Sequence, residues 1–481
     1  MANLLASLIS SADTLQAYGS VLETAQNNVS NASTPGYAKQ RTSLYALPFD
    51  PQGGATGGVR AGKLESSRNE YAEQAVRQQN TAMGYEQQMV DSLTPLQGQF
   101  DVSGEQGIPA ALNNLFQSFS AWATTPNNDA TRQTVLDRAQ QVASAFQQTS
   151  NSLQVQATNA EQQIRQTVDQ VNQLAGQLAS YNHIALQGGN KDDAGLSAQV
   201  HATLEDLSQY VDITTTFQDD GTVSVLANGE TPLVLEDKQY QISAGLNQPQ
   251  DPPPIYPNAP ASMQILGSDG SDITAKTTGG QLGALLQVRD QTLPSLMGDA
   301  YQPGGLNSMA KQFADRVNQI LTSGNISDGP PAVSGVPLFT YDSGNDNAVA
   351  QSLAVDPDVT SDKLAAIDPG PPYVSNGVPL ALSQMATPVQ DVDKIDGVSY
   401  NQYYGQLAGR VGSQLNDATD RQQVQQSLLA QAKELRDQYS GVSLDEEATI
   451  LIQFQRAYQA NSRFITVLDQ LTQATIDILQ P

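Results

Sequence analysis

The stretch that decides the fold lies near the C-terminus, at residues 443–468, which read SLDEEATILIQFQRAYQANSRFITVL. Ser443 and Glu446 match the Ser-x-x-Glu capping box with which a helix begins, and the acidic residues after Leu444 suit the positive start of a helix dipole. Apolar residues then recur at intervals built from steps of three and four, and they are Leu444, Leu451, Phe454, Tyr458, Ile465, Leu468 and, beyond the quoted stretch, Leu479. This spacing predicts an amphipathic helix with an apolar seam.

Polar residues interrupt that seam at Glu447, Asn461, Thr472 and Thr475. A helix with such gaps is marginally stable alone, because most helical stability in proteins comes from packing of the apolar face. We therefore expect a partner helix to order the C-terminal segment.

The N-terminal residues 4–29 are the candidate partner. Their seam has a period of about 3.5 residues, which is typical of a coiled coil. Its members are Leu8, Ser11, Leu15, Tyr18, Leu22, Ala25 and Val29. The pattern ends at residues 31–36, because Pro35 disfavours helix at Thr34 and the Pro35-Gly36 pair favours a turn.

The two terminal seams predict an axial assembly interface, in which copies of the chain pack against one another. The residues predicted for it are Leu8, Leu15, Leu22, Val29, Leu444, Leu451, Phe454, Tyr458, Ile465 and Leu468. Because both seams are rich in small and polar residues, we expect the terminal helices to be frayed in the free monomer.

A third seam runs over residues 136–185 and predicts one long helix. Its positions are Leu136, Ala139, Ala143, Phe146, Ser150, Leu153, Ala157, Ala160, Ile164, Thr167, Val171, Leu174, Leu178, Tyr181 and Ala185, with Ser150 and Thr167 as the polar members. At about 1.5 Å per residue, a helix of this length spans on the order of 75 Å. That is longer than a compact domain needs, so we expect a rod-like helical bundle.

The intervening segments have other patterns. Residues 41–64 contain glycine pairs and predict an extended loop, and residues 66–93 predict a polar, glutamine-rich helix. β-Branched runs at 211–217 and 222–226 predict strands joined by the turn at 218–221.

The whole pattern predicts a mainly α fold with β-rich insertions, an α+β multidomain chain whose terminal helices come together. The predicted segments are an N-terminal axial coiled-coil segment (1–40), the N-terminal part of a helical bundle (41–190), a β-rich outer domain (191–278), helices that return to the bundle (279–324), a second β-rich or irregular insertion (325–398), the C-terminal part of the bundle (399–440) and a C-terminal axial coiled-coil segment (441–481). A break near Ser440-Gly441 separates the last two segments.

Composition excludes several classes of function. The 481 residues carry 49 acidic and 23 basic side chains, a net charge of −26, which repels nucleic-acid phosphates and anionic lipids. The absence of cysteine excludes disulfides, thiolate metal sites and thiol nucleophiles. No basic residue precedes Lys39, so we expect no cleavable secretory signal, and no apolar stretch approaches a membrane span. We predict no nucleic-acid partner and no membrane insertion.

The sequence contains only weak matches to motifs that bind phosphate or metal ions. Residues 57–64 come near a phosphate-binding loop, but Leu64 stands where a hydroxyl would bind Mg²⁺, so we interpret them as a basic loop. His183 and His201 have no metal-ligand spacing, and His183, near a helix end, is interpreted as a surface or capping residue. Acidic pairs are interpreted as solvated turns, with a weak Ca²⁺ site as the alternative; they are Asp192-Asp193, Asp219-Asp220, Asp269 with Asp272, and Asp342 with Asp346. We predict no catalytic, cofactor-binding or metal-binding residue.

Motifs at both chain ends resemble a known family. Residues 27–37, NNVSNASTPGY, resemble the N-terminal motif shared by bacterial flagellar rod, hook and hook-associated proteins. Residues 440–448, SGVSLDEEA, and 453–461, QFQRAYQAN, are similar to the matching C-terminal motif, and their wording is closest to members at the hook–filament junction. Residues 208–221 and 278–290 resemble internal segments of the same members.

The resemblance implies a structural subunit and no enzyme. It implies a ring of copies between hook and filament, with the hook protein and a second junction protein as neighbours. It also implies unfolded export through the flagellar type III apparatus, so the protein would be cytoplasmic first and extracellular afterwards. The motif turn comprises Asn31, Pro35, Gly36 and Tyr37.

A cytosolic export chaperone at the C-terminal helix is a further implication of the resemblance. We hypothesise that four residues serve the chaperone first and the axial coiled coil later, namely Phe454, Tyr458, Ile465 and Leu468. An amphipathic helix without its partner exposes apolar surface, which is a reason for such protection.

Three alternatives stay open. A hook or rod subunit shares the terminal motifs, although the long 136–185 seam argues against it. A surface-exposed adhesin or binding module, which would use the β insertions, is the alternative from another class. An enzyme is the weakest alternative.

Overall fold

The computed structural model describes residues 2–50, 55–100, 106–188, 193–248, 250–327, 329, 332–370 and 372–479. The helices are α1 (Ala2–Asn31), α2 (Glu70–Gln97), α3 (Gly107–Thr124), α4 (Asp129–Gly188), α5 (Ala194–Tyr210), α6 (Gly280–Gln287), α7 (Leu293–Met297), α8 (Gly305–Ser323), α9 (Val349–Ser352), α10 (Gly377–Gln384), α11 (Tyr400–Ser440) and α12 (Leu444–Leu479). A π-helical turn, Val288–Thr292, joins α6 to α7.

The strands are β1 (Gln40–Ala46), β2 (Phe49–Asp50), β3 (Ala55–Thr56), β4 (Val59–Ser66), β5 (Ile213–Phe217), β6 (Val223–Ala227), β7 (Thr231–Leu235), β8 (Lys238–Gln239), β9 (Ser243–Asn247), β10 (Ser262–Leu266), β11 (Asn325–Ser327), β12 (Val333–Ser334), β13 (Phe339–Thr340) and β14 (Ala354–Val355). All pairings are antiparallel: β1 with β4, β2 with β3, β9 with β10, β11 with β12, β13 with β14, and a four-stranded sheet in the order β5-β6-β7-β8.

The mainly α fold with β-rich insertions is confirmed, and so are the long helices. Twelve positions of the seam predicted over 136–185 are buried on α4, and Leu136, Ser150 and Tyr181 are half-buried. The break near Ser440-Gly441 also occurs as predicted, between α11 and α12.

The chain folds as two compact units. The terminal unit comprises residues 1–83, 171–241 and 425–481, and the central unit comprises residues 84–170 and 242–424. The seven segments predicted from the sequence stay a prediction. Within the predicted segment 191–278, the described residues up to Gln241 belong to the terminal unit and those after it belong to the central unit.

The terminal unit contains two elements that differ from the sequence-based expectation. Residues 41–64 are a β-hairpin of β1 and β4, with Gln40 opposite Ser66 and Tyr45 opposite Arg60, and not an extended loop. Helix α5 lies in a segment predicted to be β-rich. The side chain of Asp193 caps it by accepting hydrogen bonds from the backbone nitrogens of Gly195 and Leu196.

The four-stranded sheet of the terminal unit is a meander whose turns match the sequence signals. Asn228 and Gly229 both have positive φ, as a two-residue hairpin turn requires, and they join β6 to β7. The side chains of Val223, Val225 and Ala227 alternate into the core along β6. The two predicted strands and the turn predicted at 218–221 are therefore confirmed.

The central unit surrounds a large apolar core. Phe313 of α8 lies at its centre, where its ring centroid is 6.2 Å from that of Phe116, 5.7 Å from Phe339 and 5.4 Å from Tyr400. These contacts join α3, α8, β13 and the start of α11 into one packed core.

A polar cluster fastens the π-helical turn of the central unit to its neighbours. Arg289 donates from Nε and Nη2 to Glu161 Oε1 on α4, at 3.0 and 2.6 Å. The next residue, Asp290, accepts a hydrogen bond from the backbone nitrogen of Met263 on β10 at 3.0 Å. Burial raises the pKa of Asp290 to about 6, against the lowering effects of that hydrogen bond and of Arg289. The ionised carboxylate is therefore disfavoured in the folded state.

We predict that D290N changes the pH dependence of stability. Because the folded pKa of Asp290 lies above its unfolded value, wild-type stability is highest when the group is protonated and falls as pH rises from about 4 to about 7. The asparagine retains a hydrogen-bond acceptor for Met263 and has no charge to bury. Relative to wild type, D290N should gain up to about 3 kcal/mol of unfolding free energy between pH 4 and pH 7. Urea unfolding at both pH values measures the difference, and a gap that is independent of pH would contradict it.

Candidate assembly interface

The two terminal helices form an antiparallel pair within the terminal unit. Asn461 of α12 donates from Nδ2 to the carbonyl oxygen of Ser11 at 2.8 Å. Further along, the ring of Phe454 packs edge-on against that of Tyr18, with 5.6 Å between centroids. The partner helix expected for the C-terminal segment is therefore α1 of the same chain.

The residues predicted for the assembly interface fall into three environments. Leu468 is buried. The half-buried members are Leu8, Leu15, Leu22, Leu451, Phe454 and Ile465. The exposed members are Val29, Leu444 and Tyr458. Their role between copies of the chain stays a prediction.

The buried face of α1 is built from smaller and more polar residues than the sequence pattern predicts. Its members are Ser11, Thr14, Ala17, Val21, Ala25 and Asn28. Two of the polar residues that interrupt the apolar seam of α12 have polar partners, one on α1 and one on Lys39, which follows α1. Asn461 bonds to α1, and the carboxylate of Glu447, although buried, lies 3.1 Å from Nζ of Lys39.

The pair leaves large apolar side chains on its outside. Leu5 and Ile9 are exposed on α1, and Ile452 is exposed near the start of α12. Towards the end of α12, Phe464, Val467 and Leu471 are 51%, 50% and 52% exposed. We name these six residues the outer apolar stripe. Phe464, Val467 and Leu471 are spaced three and four residues apart and so share one face of α12, and exposed apolar faces of this kind mark protein interaction sites.

The motif turn after α1 is closed by its own polar groups. The backbone nitrogen of Thr34 bonds to the oxygen of Asn31 at 2.9 Å, and that of Tyr37 to the oxygen of Thr34 at 3.1 Å. The Tyr37 hydroxyl reaches back to Oδ1 of Asn27 and of Asn28, at 3.0 and 2.9 Å. The turn therefore directs the chain back along α1.

Gly36 is required by its conformation and by its neighbour. Its φ is +71°, which disfavours residues with a side chain. A Cβ atom here would lie 2.3 Å from the carbonyl oxygen of Ala198 and 2.9 Å from the nitrogen of Ala202 on α5. The motif turn thus packs directly on a helix that the sequence analysis missed.

Asn28 is a site residue that the predicted set does not contain. It is 1% exposed, donates from Nδ2 to the oxygen of Gln40 at 2.9 Å and accepts from the nitrogen of Gln40 at 2.9 Å. This reciprocal pair fixes the start of β1 to the end of α1. The signal available in the sequence was the asparagine-rich motif itself.

Lys39 joins the two motifs. Its backbone nitrogen donates to the oxygen of Ser440 at 2.8 Å, and its Nζ lies 2.8 Å from Glu446 and 3.1 Å from Glu447. The hydrogen bond from Lys39 lowers the pKa of Glu446. A residue two positions after the N-terminal motif therefore contacts both the end of α11 and the start of α12.

A charged cluster supports this junction. Arg68 pairs with Glu73 and donates from Nη2 to the oxygen of Gly36 at 2.6 Å. Arg436 of α11 lies 2.7 Å from Glu205 of α5, and Lys433 lies 2.8 Å from the same carboxylate. The pairs connect the motif turn, α2, α5 and α11.

His201 of α5 lies against this cluster. Its ring stacks on Phe217 at 4.9 Å and is 4% exposed. Burial, followed by the charges of Arg68, Arg77 and Arg436, holds the pKa of His201 well below its usual range. It is a neutral packing residue, whereas His183 is exposed and contacts Asp237 at 3.1 Å.

The other chemical candidates have structural roles or lie outside the described residues. Residues 57–64 form a turn and strand β4, with no helix after them of the kind a phosphate loop requires. Asp269 and Asp272 accept hydrogen bonds from Ser271 and Thr274 in turns. Asp346 pairs with Lys311 and Asp342 accepts from Gly344, whereas Asp192 is outside the described residues.

In the part of the chain that the structure describes, no three histidine or acidic side chains gather closely enough to hold a metal ion. The described helices include none with the length and apolar character that crossing a membrane requires.

Comparisons with known proteins agree with this geometry. The model of the flagellar hook-associated protein FlgK helical domain matches residues 93–339, more than half of the chain. The model of the C-terminal region of flagellar basal body rod FlgEFG proteins matches residues 436–478, which include all of α12 but its last residue.

Whole-chain relatives give the same family. Flagellar hook-associated protein 1 of Bacillus subtilis is 27% identical over 96% of each chain, and that of Escherichia coli is 23% identical over 96% of this chain and 98% of its own. The flagellar hook junction protein FlgK of Burkholderia pseudomallei has a similar fold, with a TM-score of 0.63 at 15% identity over 76% of this chain and all of that one.

We predict that G36A destabilises the terminal unit. The added methyl group meets backbone atoms of α5 at a positive φ, so the loss should be about 3 kcal/mol. G19A is the matched control, because that helical glycine has open space around its would-be Cβ and alanine there should stabilise by about 0.5–1 kcal/mol. Denaturant unfolding of both variants measures the difference, and a G36A protein as stable as wild type would contradict the packing.

Proposed function

The chain belongs to the flagellar hook-associated protein FlgK family, a structural and non-enzymatic family, and we propose that it forms the junction between hook and filament. The observation that carries the proposal is the pair of α1 and α12, closed by the two family motifs and bearing an apolar stripe on its outside. A subunit of this kind contributes surface and rigidity, and no chemistry.

The outer apolar stripe is the proposed contact between copies of the chain. Its exposed side chains would be buried in a ring of subunits, because an apolar stripe on a helix is stabilised by packing against a facing helix. The predicted interface residues then have two separate roles. Leu468 and the half-buried members hold α12 on α1, and the exposed Val29, Leu444 and Tyr458 are free to meet a neighbouring copy.

The hook protein on one side and a second junction protein on the other are the proposed neighbours of the ring. The seven segments predicted from the sequence are retained as proposals, with the axial segments 1–40 and 441–481 inside and the β-rich segments outside. The protein would be extracellular at the hook–filament junction after assembly.

Export through the flagellar type III apparatus is proposed to precede assembly. During this stage α12 would lack α1 as its partner, and its apolar face would be open to solvent. A cytosolic chaperone that contacts Phe454, Tyr458, Ile465 and Leu468 would cover that face. Phe454 packs against Tyr18 of α1, and Ile465 and Leu468 are half-buried and buried, so the chaperone and the folded chain would compete for one surface.

We predict that deletion of the gene in the source bacterium yields hooks without filaments and flagellin lost to the medium. Electron microscopy of the cells and assay of secreted flagellin measure this. Absence of hooks would indicate a rod or hook subunit instead. Normal filaments would contradict any axial role and favour an adhesin.

We predict that F454D with I465D abolishes both chaperone binding and filament assembly, because each substitution places a charge in the seam between α12 and α1. The matched variant F464D with V467D changes the outer apolar stripe and should block assembly while the monomer still folds. Circular dichroism, pull-down with the chaperone and electron microscopy separate the two cases. Intact chaperone binding and assembly in F454D with I465D would show that the seam serves neither.

A further inference from the structure

The β1–β4 hairpin differs in charge from the rest of the molecule. Residues 40–66 carry three basic side chains, Arg41, Arg60 and Lys63, against two acidic ones, whereas the whole chain has a net charge of −26. Arg60 and Lys63 are exposed, and neither has an ion-pair partner among the residues that the structure describes. The hairpin thus has a net charge of +1 on a strongly acidic protein.

The basic side chains lie beside exposed aromatic rings. Tyr45 is opposite Arg60 in the register of the hairpin and is 58% exposed. Phe49, on the strand that follows, is 74% exposed. Aromatic and arginine side chains together are typical of the centre of protein interfaces.

The hairpin is held in place on α1, so its exposed face is preformed. Thr42 bonds to Thr24 at 2.7 Å, Ser10 donates to the oxygen of Gly57, and the nitrogen of Val59 donates to Thr14 at 3.2 Å. These contacts engage the side that faces the helix. A preformed surface loses little conformational entropy on binding.

The same unit carries a surface of opposite charge. Residues 212–239, which contain the four-stranded sheet, have six acidic side chains against one lysine. Asp212, Asp219, Asp220 and Glu236 are exposed there. These acidic residues lie in the turns and at the strand ends, so the terminal unit presents a weakly basic, aromatic hairpin and a sheet with acidic turns on one chain.

We propose that the exposed face of the β1–β4 hairpin docks on the acidic turns and strand ends of the β5–β8 sheet in a second copy of this chain. A closed ring needs a heterologous contact, in which two different surfaces of each subunit meet, and complementary charge fixes which surfaces these are. The inference rests on the proposed ring of copies and adds the contact that sets its register.

Photocrosslinking in flagella from the source bacterium tests the docking. A deletion strain is complemented with the chain carrying p-benzoylphenylalanine in place of Tyr45, or of Phe49 as a second position in case the first variant folds poorly. Irradiation should give a crosslinked dimer whose junction maps to residues 212–239 by mass spectrometry. The same photoreactive residue in place of Tyr373, an exposed tyrosine of the central unit, should give no crosslink to those residues.

Charge reversal identifies the force. R60E with K63E should lower the crosslink yield at least fivefold. The control R410E with R421E changes the net charge equally on α11 and should leave the yield unchanged. Adding D212K with D219K to the R60E with K63E chain should restore the crosslink, since the signs are exchanged. Failure to restore it would overturn the sheet as the docking partner.

The remaining outcomes are also decisive. A crosslink from Tyr45 or Phe49 to the hook protein, to another region of the chain, or to nothing, in cells that make filaments, overturns this inference and leaves the junction function intact. If the deletion strain makes normal filaments, the proposed function fails by that separate result.

Discussion

The antiparallel contact between α1 and α12 is the constraint on which the terminal unit depends. These helices lie at opposite ends of a 481-residue chain, so their pairing closes every other segment into one loop. Loop closure carries an entropy penalty that grows slowly with length, and contacts at the point of closure must offset it. Lys39, which bonds to Ser440 and lies against Glu446 and Glu447, supplies several of those contacts from one residue.

The long helices could be predicted from the sequence because their periodicity persists over many turns. The seam of α4 has fifteen positions, and the few polar ones did not obscure it. The break at Ser440-Gly441 could be predicted equally well, because a capping box follows it. Hairpin β1–β4 was missed for the opposite reason. Burial does not alternate along β1 or β4, and the register is irregular between Thr42 and Leu44, so a strict alternation does not appear.

The candidate interface could be located from the sequence. However, the face of α1 that is buried within the chain could not be distinguished from the face that stays more exposed. The sequence pattern places large residues such as Leu8 and Leu15 in the predicted seam, whereas the buried face of α1 is built around Ala17, Val21 and Ala25. Small side chains allow close approach of two helices, and periodicity alone does not say which seam belongs to which partner. Helix α5 was overlooked, so the packing of Gly36 on Ala198 could not be foreseen either.

The arrangement of the terminal helices also has a mechanical consequence. Contacts between the two chain ends are spread along the helix axes, at Ser11 with Asn461, at Tyr18 with Phe454 and at Lys39 with Glu446. A force directed along the axes loads all three in parallel, as shear, and must break them together. A force directed across the pair would peel them apart one after another. The fold is therefore strongest against tension in the direction along which its two helices run.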